Sequence, residues 1–158
     1  MNDLFSNIQL RKTNKQPLNI LNFFQTQTNF QISKCNKPRC KTCNIIIPYK
    51  NFIEFNNKII YINNNGHCQS RNVIYCIRCN CNEFYIGKAT QFNLRINLHR
   101  DQTIHPEKTI LKANKHMRTC QSKYQCTILF ILSEEDDIFI DQMEDYFIKL
   151  IKPGLNAL

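Results

Sequence analysis

The chain has 158 residues, 42% of them hydrophobic, which is enough for one ordinary domain with its own core and a small additional module. Lys and Arg number 21 against 12 acidic residues, and the resulting net charge of +9 attracts phosphate polyanions, so nucleic acid is the expected partner. The sequence contains no run of about 18 apolar residues and no apolar signal core near Met1. This argues against a membrane span and against secretion, and we expect an intracellular protein.

Cysteine is frequent in this sequence. The chain has nine cysteines, an odd number, and no secretory signal. In a reducing compartment, clustered thiols bind zinc more often than they form disulfides. The cysteine groups are therefore predicted zinc ligands.

The composition divides the chain into three units. Residues 1–34 are rich in Asn and Gln with one apolar group, residues 20–24, and are predicted to form a loosely packed arm or linker. Residues 35–70 hold the first group of cysteines and form a predicted zinc module. Residues 71–158 show regular apolar patterns and are predicted to form the main domain.

Two predicted strands open the main domain. Residues 73–77 and 83–87 are rich in β-branched and aromatic side chains and are separated by a short polar turn, which is typical of a β-hairpin. Side chains alternate along a strand, so Tyr75 and Tyr85 are expected on one face of the sheet, about 5 Å apart. The two phenols can then meet.

A helix is predicted over residues 90–100, with Thr90 as its N-cap. The apolar residues of this segment alternate strictly, which fits a strand equally well. In the helical reading, Arg95 and His99 are four residues apart and lie on one face, where Arg is suited to bidentate contact with phosphate.

A third strand and a long helix complete the predicted elements. The strand covers residues 127–132, and Ser133 is predicted to cap an acidic first turn of a helix that runs to Ile151 and stops at Pro153-Gly154. Glu144 lies on the apolar face of this helix, where a carboxylate needs a partner such as a divalent metal ion. The fold class is therefore α/β (α+β), with a small, mostly antiparallel sheet of about three strands flanked by helices and preceded by the zinc module.

The order of these residues resembles the signature of the GIY-YIG endonucleases. From Cys35 onward the chain is similar to the GIY-YIG module of Penelope-like retroelements, in which a Cys-rich lead precedes the nuclease. Val73 departs from the pattern, because it replaces the first Gly of the family name. The residues that match the family motifs are Tyr75, Tyr85, Gly87, Arg95, His99, Glu144 and Asn156, and the resemblance implies that all of them except Gly87 are catalytic.

The resemblance implies a mechanism for cutting DNA. Glu144 holds one Mg²⁺ or Mn²⁺ ion against the scissile phosphate, and Arg95 neutralises charge on the phosphate oxygens. Tyr75 takes a proton from the attacking water while Tyr85 and His99 position it, and whether Tyr75 or His99 is the general base stays open. The substrate contacts are assigned to Gly87, Lys88 and Arg95.

Two groups of residues have the composition of zinc sites. Cys-x-Cys lies between the two motif strands and His-x3-Cys lies downstream, so one zinc ion is predicted to pin the hairpin turn to a later loop. The alternative is a set of reduced structural thiols. The site that pins the hairpin turn is called the second site, and its ligands are Cys79, Cys81, His116 and Cys120. The ligands of the first site, which lies earlier in the chain, are Cys35, Cys40, Cys43 and Cys68, with His67 as an alternative fourth ligand.

Basic residues surround the first cysteine group. They are either a collar that contacts backbone phosphates or ordinary solvated charges. These residues are Lys34, Lys37, Arg39 and Lys41.

Three functions compete at this point. The first is a DNA endonuclease serving mobile-element insertion, with a reverse transcriptase supplied in cis or in trans and a nuclear location if the element is eukaryotic. The second is a zinc-stabilised nucleic-acid-binding module that has lost the chemistry. A cysteine-rich redox or structural protein is the third, and it leaves the Tyr, Arg and Glu series unexplained.

Overall fold

The computed structural model describes residues 29–156 except 106, 108–110 and 121–122, together with the backbone of two short strands farther upstream. These are β1 (Leu10–Lys12) and β2 (Lys15–Leu18), which pair antiparallel. The apolar group at residues 20–24 lies outside the described residues.

The cysteine-rich segment contains short strands that form two small sheets. One sheet has three strands, and the other is a hairpin that lies in the chain between the second and the third of them. A 3-10 turn, Lys41–Asn44, precedes the second strand. The strands are β3 (Gln31–Ser33), β4 (Tyr49–Lys50), β5 (Phe52–Phe55), β6 (Lys58–Tyr61) and β7 (Gly66–His67).

The main domain is built on a three-stranded antiparallel sheet in which the first strand is central and pairs with both others. Because this central strand is covered on both faces, its apolar run 73–77 is continuous rather than alternating. The sheet and its flanking helices confirm the predicted mixed fold class. The elements are β8 (Arg71–Cys79), β9 (Phe84–Gln91), α1 (Phe92–Ile104), α2 (Lys112–Thr119), β10 (Tyr124–Ile131) and α3 (Asp137–Ile151).

Each face of the sheet has its own core. On one face, α1, α2 and the cysteine-rich segment pack together, so Ile32 and Cys68 share a cluster with Tyr75 and Ile96. On the other face, α3 and the β5–β6 hairpin pack against the sheet. No helix among the described residues has the length and apolar character needed to cross a bilayer.

Two predicted helix starts and one predicted loop are wrong. Thr90 lies within β9, whose pairing continues to Gln91, and Gln91 is the N-cap residue of α1. The cap of α3 is Asp136 rather than Ser133, because the Asp136 carboxylate accepts the N–H of Phe139 at 2.9 Å. The loop expected to carry His116 is helix α2.

The core on the α3 side predicts a large effect of Phe147→Ala. Phe147 is 1% exposed and contacts the ring of Phe130, so the truncation leaves a cavity and is expected to lower the free energy of unfolding by about 3–5 kcal/mol. Ile138→Ala on the same helix is the control, because Ile138 is 69% exposed and its truncation changes stability by less than about 0.5 kcal/mol. Urea denaturation measures both, and similar losses would contradict this packing.

Candidate active site and metal centres

The two motif tyrosines meet on one face of the sheet. Tyr75 on β8 pairs with Gly87 on β9, and Tyr85 pairs with Ile77, so the two phenols are diagonal neighbours with ring centroids 6.2 Å apart. A Cβ atom on Gly87 would lie 2.6 Å from the Tyr75 hydroxyl and 2.8 Å from the Tyr85 ring. Glycine is therefore required at position 87 for both rings to occupy this face.

Helix α1 follows β9 directly and places two polar side chains against Tyr75. The Nε2 atom of His99 lies 2.7 Å from the Tyr75 hydroxyl oxygen. Arg95 donates from Nε to the same oxygen at 3.2 Å. The spacing of four residues predicted that Arg95 and His99 share a helix face, and they converge on one phenol.

Asn114 on α2 sets the tautomer of His99. Its amino group donates to Gln102 Oε1 at 2.6 Å, so its oxygen faces His99 Nδ1 at 2.6 Å and accepts a hydrogen bond from it. Nδ1 therefore carries the hydrogen, and Nε2 is left to accept the hydroxyl proton of Tyr75. Asn114 is 1% exposed. Sequence reasoning missed both Asn114 and Gln102, because an Asn or Gln carries no motif signal of its own.

Burial controls the protonation states of His99 and Tyr75. Desolvation, reinforced by the charge of Arg95, lowers the pKa of His99 to about 4, although the hydrogen bond that His99 donates to Asn114 opposes the shift. Burial also raises the pKa of Tyr75, and the neighbouring Tyr85 adds to the effect while Arg95 opposes it. At neutral pH the pair is therefore a neutral imidazole that accepts a hydrogen bond from a neutral phenol.

Glu144 on α3 approaches the other side of β9. Burial raises its pKa, whereas the charge of Lys88 and a hydrogen bond from the Lys88 backbone N–H lower it. The Lys88 ammonium group forms an ion pair with Asp141, one turn before Glu144 on α3. A cavity of about 570 Å³ is lined by Lys88 and Arg95 and, on another side, by three acidic residues, Glu135, Asp136 and Asp137. A cation pair suited to phosphate thus faces one open space.

Asn156 binds backbone. Its side-chain oxygen accepts the N–H of Ile86 and its amino group donates to the Ile86 carbonyl, both at 2.7 Å. The N–H of Leu155 donates to the carbonyl of Phe84 at 3.0 Å. These bonds hold the end of the chain against the strand that carries Tyr85, so Asn156 acts on the position of β9.

The first cysteine group converges beside helix α1. Its four ligand atoms all lie within 4.8 Å of one another. The Sγ atoms of Cys35 and Cys43 are 3.5 Å apart, and those of Cys43 and Cys68 are 3.4 Å apart. Tetrahedral zinc with bonds of about 2.3 Å separates its sulfur ligands by about 3.8 Å, so the donor set fits zinc. The group consists of Cys35, Cys40, Cys43 and Cys68.

The second group joins the β8–β9 turn to α2. The Sγ atoms of Cys79 and Cys120 are 3.6 Å apart, and Cys81 Sγ lies 3.2 Å from His116 Nε2. These four residues also fall within 4.8 Å of one another. Zinc with one imidazole and three thiolates places such atoms about 3.6–3.8 Å apart, which agrees with this donor set.

The remaining two cysteines lie in the sheet. Cys76 is 1% exposed and Cys126 is fully buried, and they belong to the two different cores. Burial raises the pKa of each thiol. They pack as small apolar side chains.

A family model described as the GIY-YIG catalytic domain matches residues 71–156, from the first residue of β8 to Asn156. The chain belongs to the GIY-YIG family. No curated protein and no solved structure matched the chain. GIY-YIG domains form a nuclease superfamily whose members depend on a metal ion, and a nuclease domain implies DNA as the substrate. The match contains every residue of the Tyr75 site. The first cysteine group lies outside the matched residues, so its interpretation rests on its geometry.

The depressed pKa of His99 predicts a pH dependence of stability. The unfolded GIY-YIG chain protonates His99 near its ordinary pKa of about 6.5, whereas the folded chain does so only near a pKa of about 4. Stability is therefore lost as the pH falls from about 6.5 to 4, because the unfolded state alone gains this proton, and the loss is on the order of 3 kcal/mol. Above this window the contribution is constant.

The measurement is urea denaturation of the wild type and of His99→Gln across this pH range. Gln cannot titrate, so the difference between the two proteins isolates His99 from the cysteine ligands and the carboxylates, which both proteins share. The free energy of unfolding of the wild type minus that of His99→Gln is expected to decrease as the pH falls from about 6.5 to 4. A gap that is constant with pH would contradict a buried neutral imidazole.

Proposed function

We propose that this chain is an endonuclease that hydrolyses phosphodiester bonds in DNA with a divalent metal ion. The observation that carries the proposal is the hydrogen-bonded series Arg95, Tyr75, His99 and Asn114, which reaches through Arg95 a cavity that Lys88 also lines. A binding protein gains nothing from a buried phenol held between a guanidinium group and an imidazole whose tautomer is set by an amide. A proton-transfer reaction at a phosphate uses all of these groups.

Arg95 and Lys88 bind the scissile phosphate in this proposal. Arg95 lines the cavity while it hydrogen-bonds to the phenols of Tyr75 and Tyr85, and its other N–H groups bind phosphate oxygens in this proposal. Lys88 gives up its ion pair with Asp141 when the stronger anion arrives. Both cations then oppose the charge that develops on the phosphate oxygens in the transition state.

Tyr75 and His99 move the proton of the attacking water. The phenol oxygen of Tyr75 receives the proton of the water as its own proton passes to Nε2 of His99 over a 2.7 Å hydrogen bond. Nδ1 keeps its hydrogen bond to Asn114, and this bond favours the resulting imidazolium. This assigns Tyr75 as the first proton acceptor and His99 as the second, and Tyr85 packs against both rings.

Glu144 is the residue that would hold the catalytic Mg²⁺ or Mn²⁺ ion. A single half-buried carboxylate suits a hard cation that keeps several waters and takes its other ligands from a substrate phosphate. When bound, such an ion supplies positive charge to the phosphate and lowers the pKa of a coordinated water.

The two cysteine groups hold structural zinc in this proposal, and the second zinc bears on catalysis. It ties the β8–β9 turn to α2, and α2 carries both His116 and Asn114. Because Asn114 sets the tautomer of His99, loosening α2 disturbs the proton acceptor of Tyr75. Fixing α2 is thus a physical route from the metal to the active site.

The finer classification also belongs to the proposal. A Cys-rich zinc module at residues 35–70 ahead of a nuclease domain at 71–158, after an arm at 1–34, supports the Penelope-like type and a role in mobile-element insertion. Such an enzyme would work with a reverse transcriptase supplied in cis or in trans, in the nucleus of a eukaryotic host. The alternative is a zinc-stabilised nucleic-acid-binding module without activity, which shares the basic charge and both cysteine groups.

Loss of the metal carboxylate is expected to abolish cleavage. With zinc-loaded protein and supercoiled plasmid in Mg²⁺ or Mn²⁺, Glu144→Gln should lower the nicking rate by on the order of 10²–10³-fold, and Tyr75→Phe by about 10² or more. Asp145→Asn removes the same charge from the exposed neighbouring residue and should nick like the wild type. If Glu144→Gln also nicks like the wild type, or if the wild type binds DNA but nicks nothing in either metal, the inactive binding module replaces the nuclease.

Metal analysis tests the two zinc sites. The wild type is expected to hold two zinc ions per chain, and Cys40→Ser and His116→Ala each to lose one of them, whereas Cys76→Ala keeps both because Cys76 lies in the α3-side core. His116→Ala should also stop nicking in added Mg²⁺, through the displacement of Asn114. Full zinc content in either ligand variant would overturn that site.

A further inference from the structure

A second groove lies on the opposite side of helix α1 from the catalytic cavity. It has a volume of about 520 Å³ and runs between α1 and the loop that carries the first cysteine ligands. Leu94, Arg95 and Leu98 line the catalytic cavity, whereas other residues of α1 face this groove. The residues used below are Asn93, Asn97 and Arg100 from α1 and Lys37, Arg39 and Lys41 from the loop.

Three residues that line this groove each hold one buried polar atom without a hydrogen-bond partner among the described residues. These atoms are Oγ1 of Thr42, Oδ1 of Asn93 and Nη1 of Arg100. Thr42 is 1% exposed. Buried polar groups are nearly always paired in folded proteins, so three unpaired atoms around one groove indicate that bound water or an ion completes their hydrogen bonds there.

The charge of the groove selects an anion. Four cations line it against one carboxylate, Asp101, and the side chains of Lys37, Arg39 and Lys41 are exposed. The same three residues also line a groove of about 440 Å³ on the other side of the loop, so the loop is a basic ridge between two concavities. A ridge of this kind fits an extended polyanion better than a single small anion.

The lining also excludes recognition of bases by stacking. No aromatic side chain lines either groove, and Pro38 and Ile104 are the apolar residues present among those described. Proteins that bind nucleic acid through its bases use aromatic platforms. Cations and amides without such a platform contact phosphate and sugar.

We propose that this groove binds the sugar–phosphate backbone of duplex DNA beyond the bond that is cut. The proposal rests on the nuclease function. Helix α1 carries Arg95 on the side of the reaction and Arg100 on the side of the groove, about one helix diameter, roughly 10 Å, away. The zinc module and α1 together therefore clamp a flanking segment of the duplex at a fixed distance from the active site, and the first zinc ion shapes the loop that does so.

The test is fluorescence anisotropy with a labelled DNA duplex and zinc-loaded full-length protein without added Mg²⁺. The double variant Arg39→Gln/Lys41→Gln is expected to raise Kd about tenfold or more and to reduce the slope of log K against log salt by about 2, since each phosphate contact contributes about 0.9. Lys58→Gln/Lys149→Gln removes the same charge from the hairpin and from α3, where both residues are exposed, and should change the slope by less than about 1. Zinc content must equal that of the wild type in all proteins.

Nicking separates this proposal from the proposed function. In Mg²⁺, the groove variant should keep the wild-type rate at saturating plasmid and need about tenfold more DNA to reach it, matching the change in Kd. If both double variants weaken binding equally, or if an RNA duplex of the same sequence binds more tightly than DNA through the groove, the groove assignment is overturned while nicking stands. If the wild type fails to nick but the groove variant alone loses the salt slope, the groove stands and the nuclease fails.

Discussion

The buried hydrogen bond between Tyr75 and His99 is the interaction on which the arrangement of the site depends. At 2.7 Å, and with Tyr75 fully buried and His99 1% exposed, it joins β8 to α1 at one point, and the bond from His99 to Asn114 brings α2 to the same place. Its direction is set on the far side of the ring by Asn114, because an amide oxygen at Nδ1 leaves Nε2 as the acceptor. Breaking this buried hydrogen bond would leave polar groups unsatisfied in the core at a large cost in free energy, so the surrounding elements have little freedom to shift.

The three-stranded sheet explains how β8, α1 and α2 can meet in so small a domain. Its central strand is covered on one face by α1, α2 and the cysteine-rich segment, and on the other by α3. Gly87 leaves room for both phenols, and the amide of Asn156 replaces a neighbouring strand along β9. The two proposed zinc sites lie at the edges of this assembly, where short segments bury too few apolar side chains to stay in place unaided.

Helix α1 divides the basic charge of the molecule between two concave surfaces. Arg95 lines the cavity together with Lys88, and Arg100 lines the groove beside the first cysteine group. Since both side chains belong to one rigid helix, the spacing between the two surfaces cannot vary much. The net charge of +9 thereby acts at two defined surfaces rather than as a general attraction for polyanions.

Local geometry accounts for what the sequence alone determined. Alternation along a strand placed Tyr75 and Tyr85 on one face, a spacing of four placed Arg95 and His99 together, and close cysteine spacings indicated metal ligands. The helix starts predicted at Thr90 and Ser133 were wrong. Thr90 lies within strand β9, whose pairing continues to Gln91, and the carboxylate of Asp136 caps the last helix in place of Ser133. Asn114 and the groove at Arg100 arise only where separate elements come into contact. Their roles depend on which surfaces meet across the fold, and no periodicity within one segment encodes that contact.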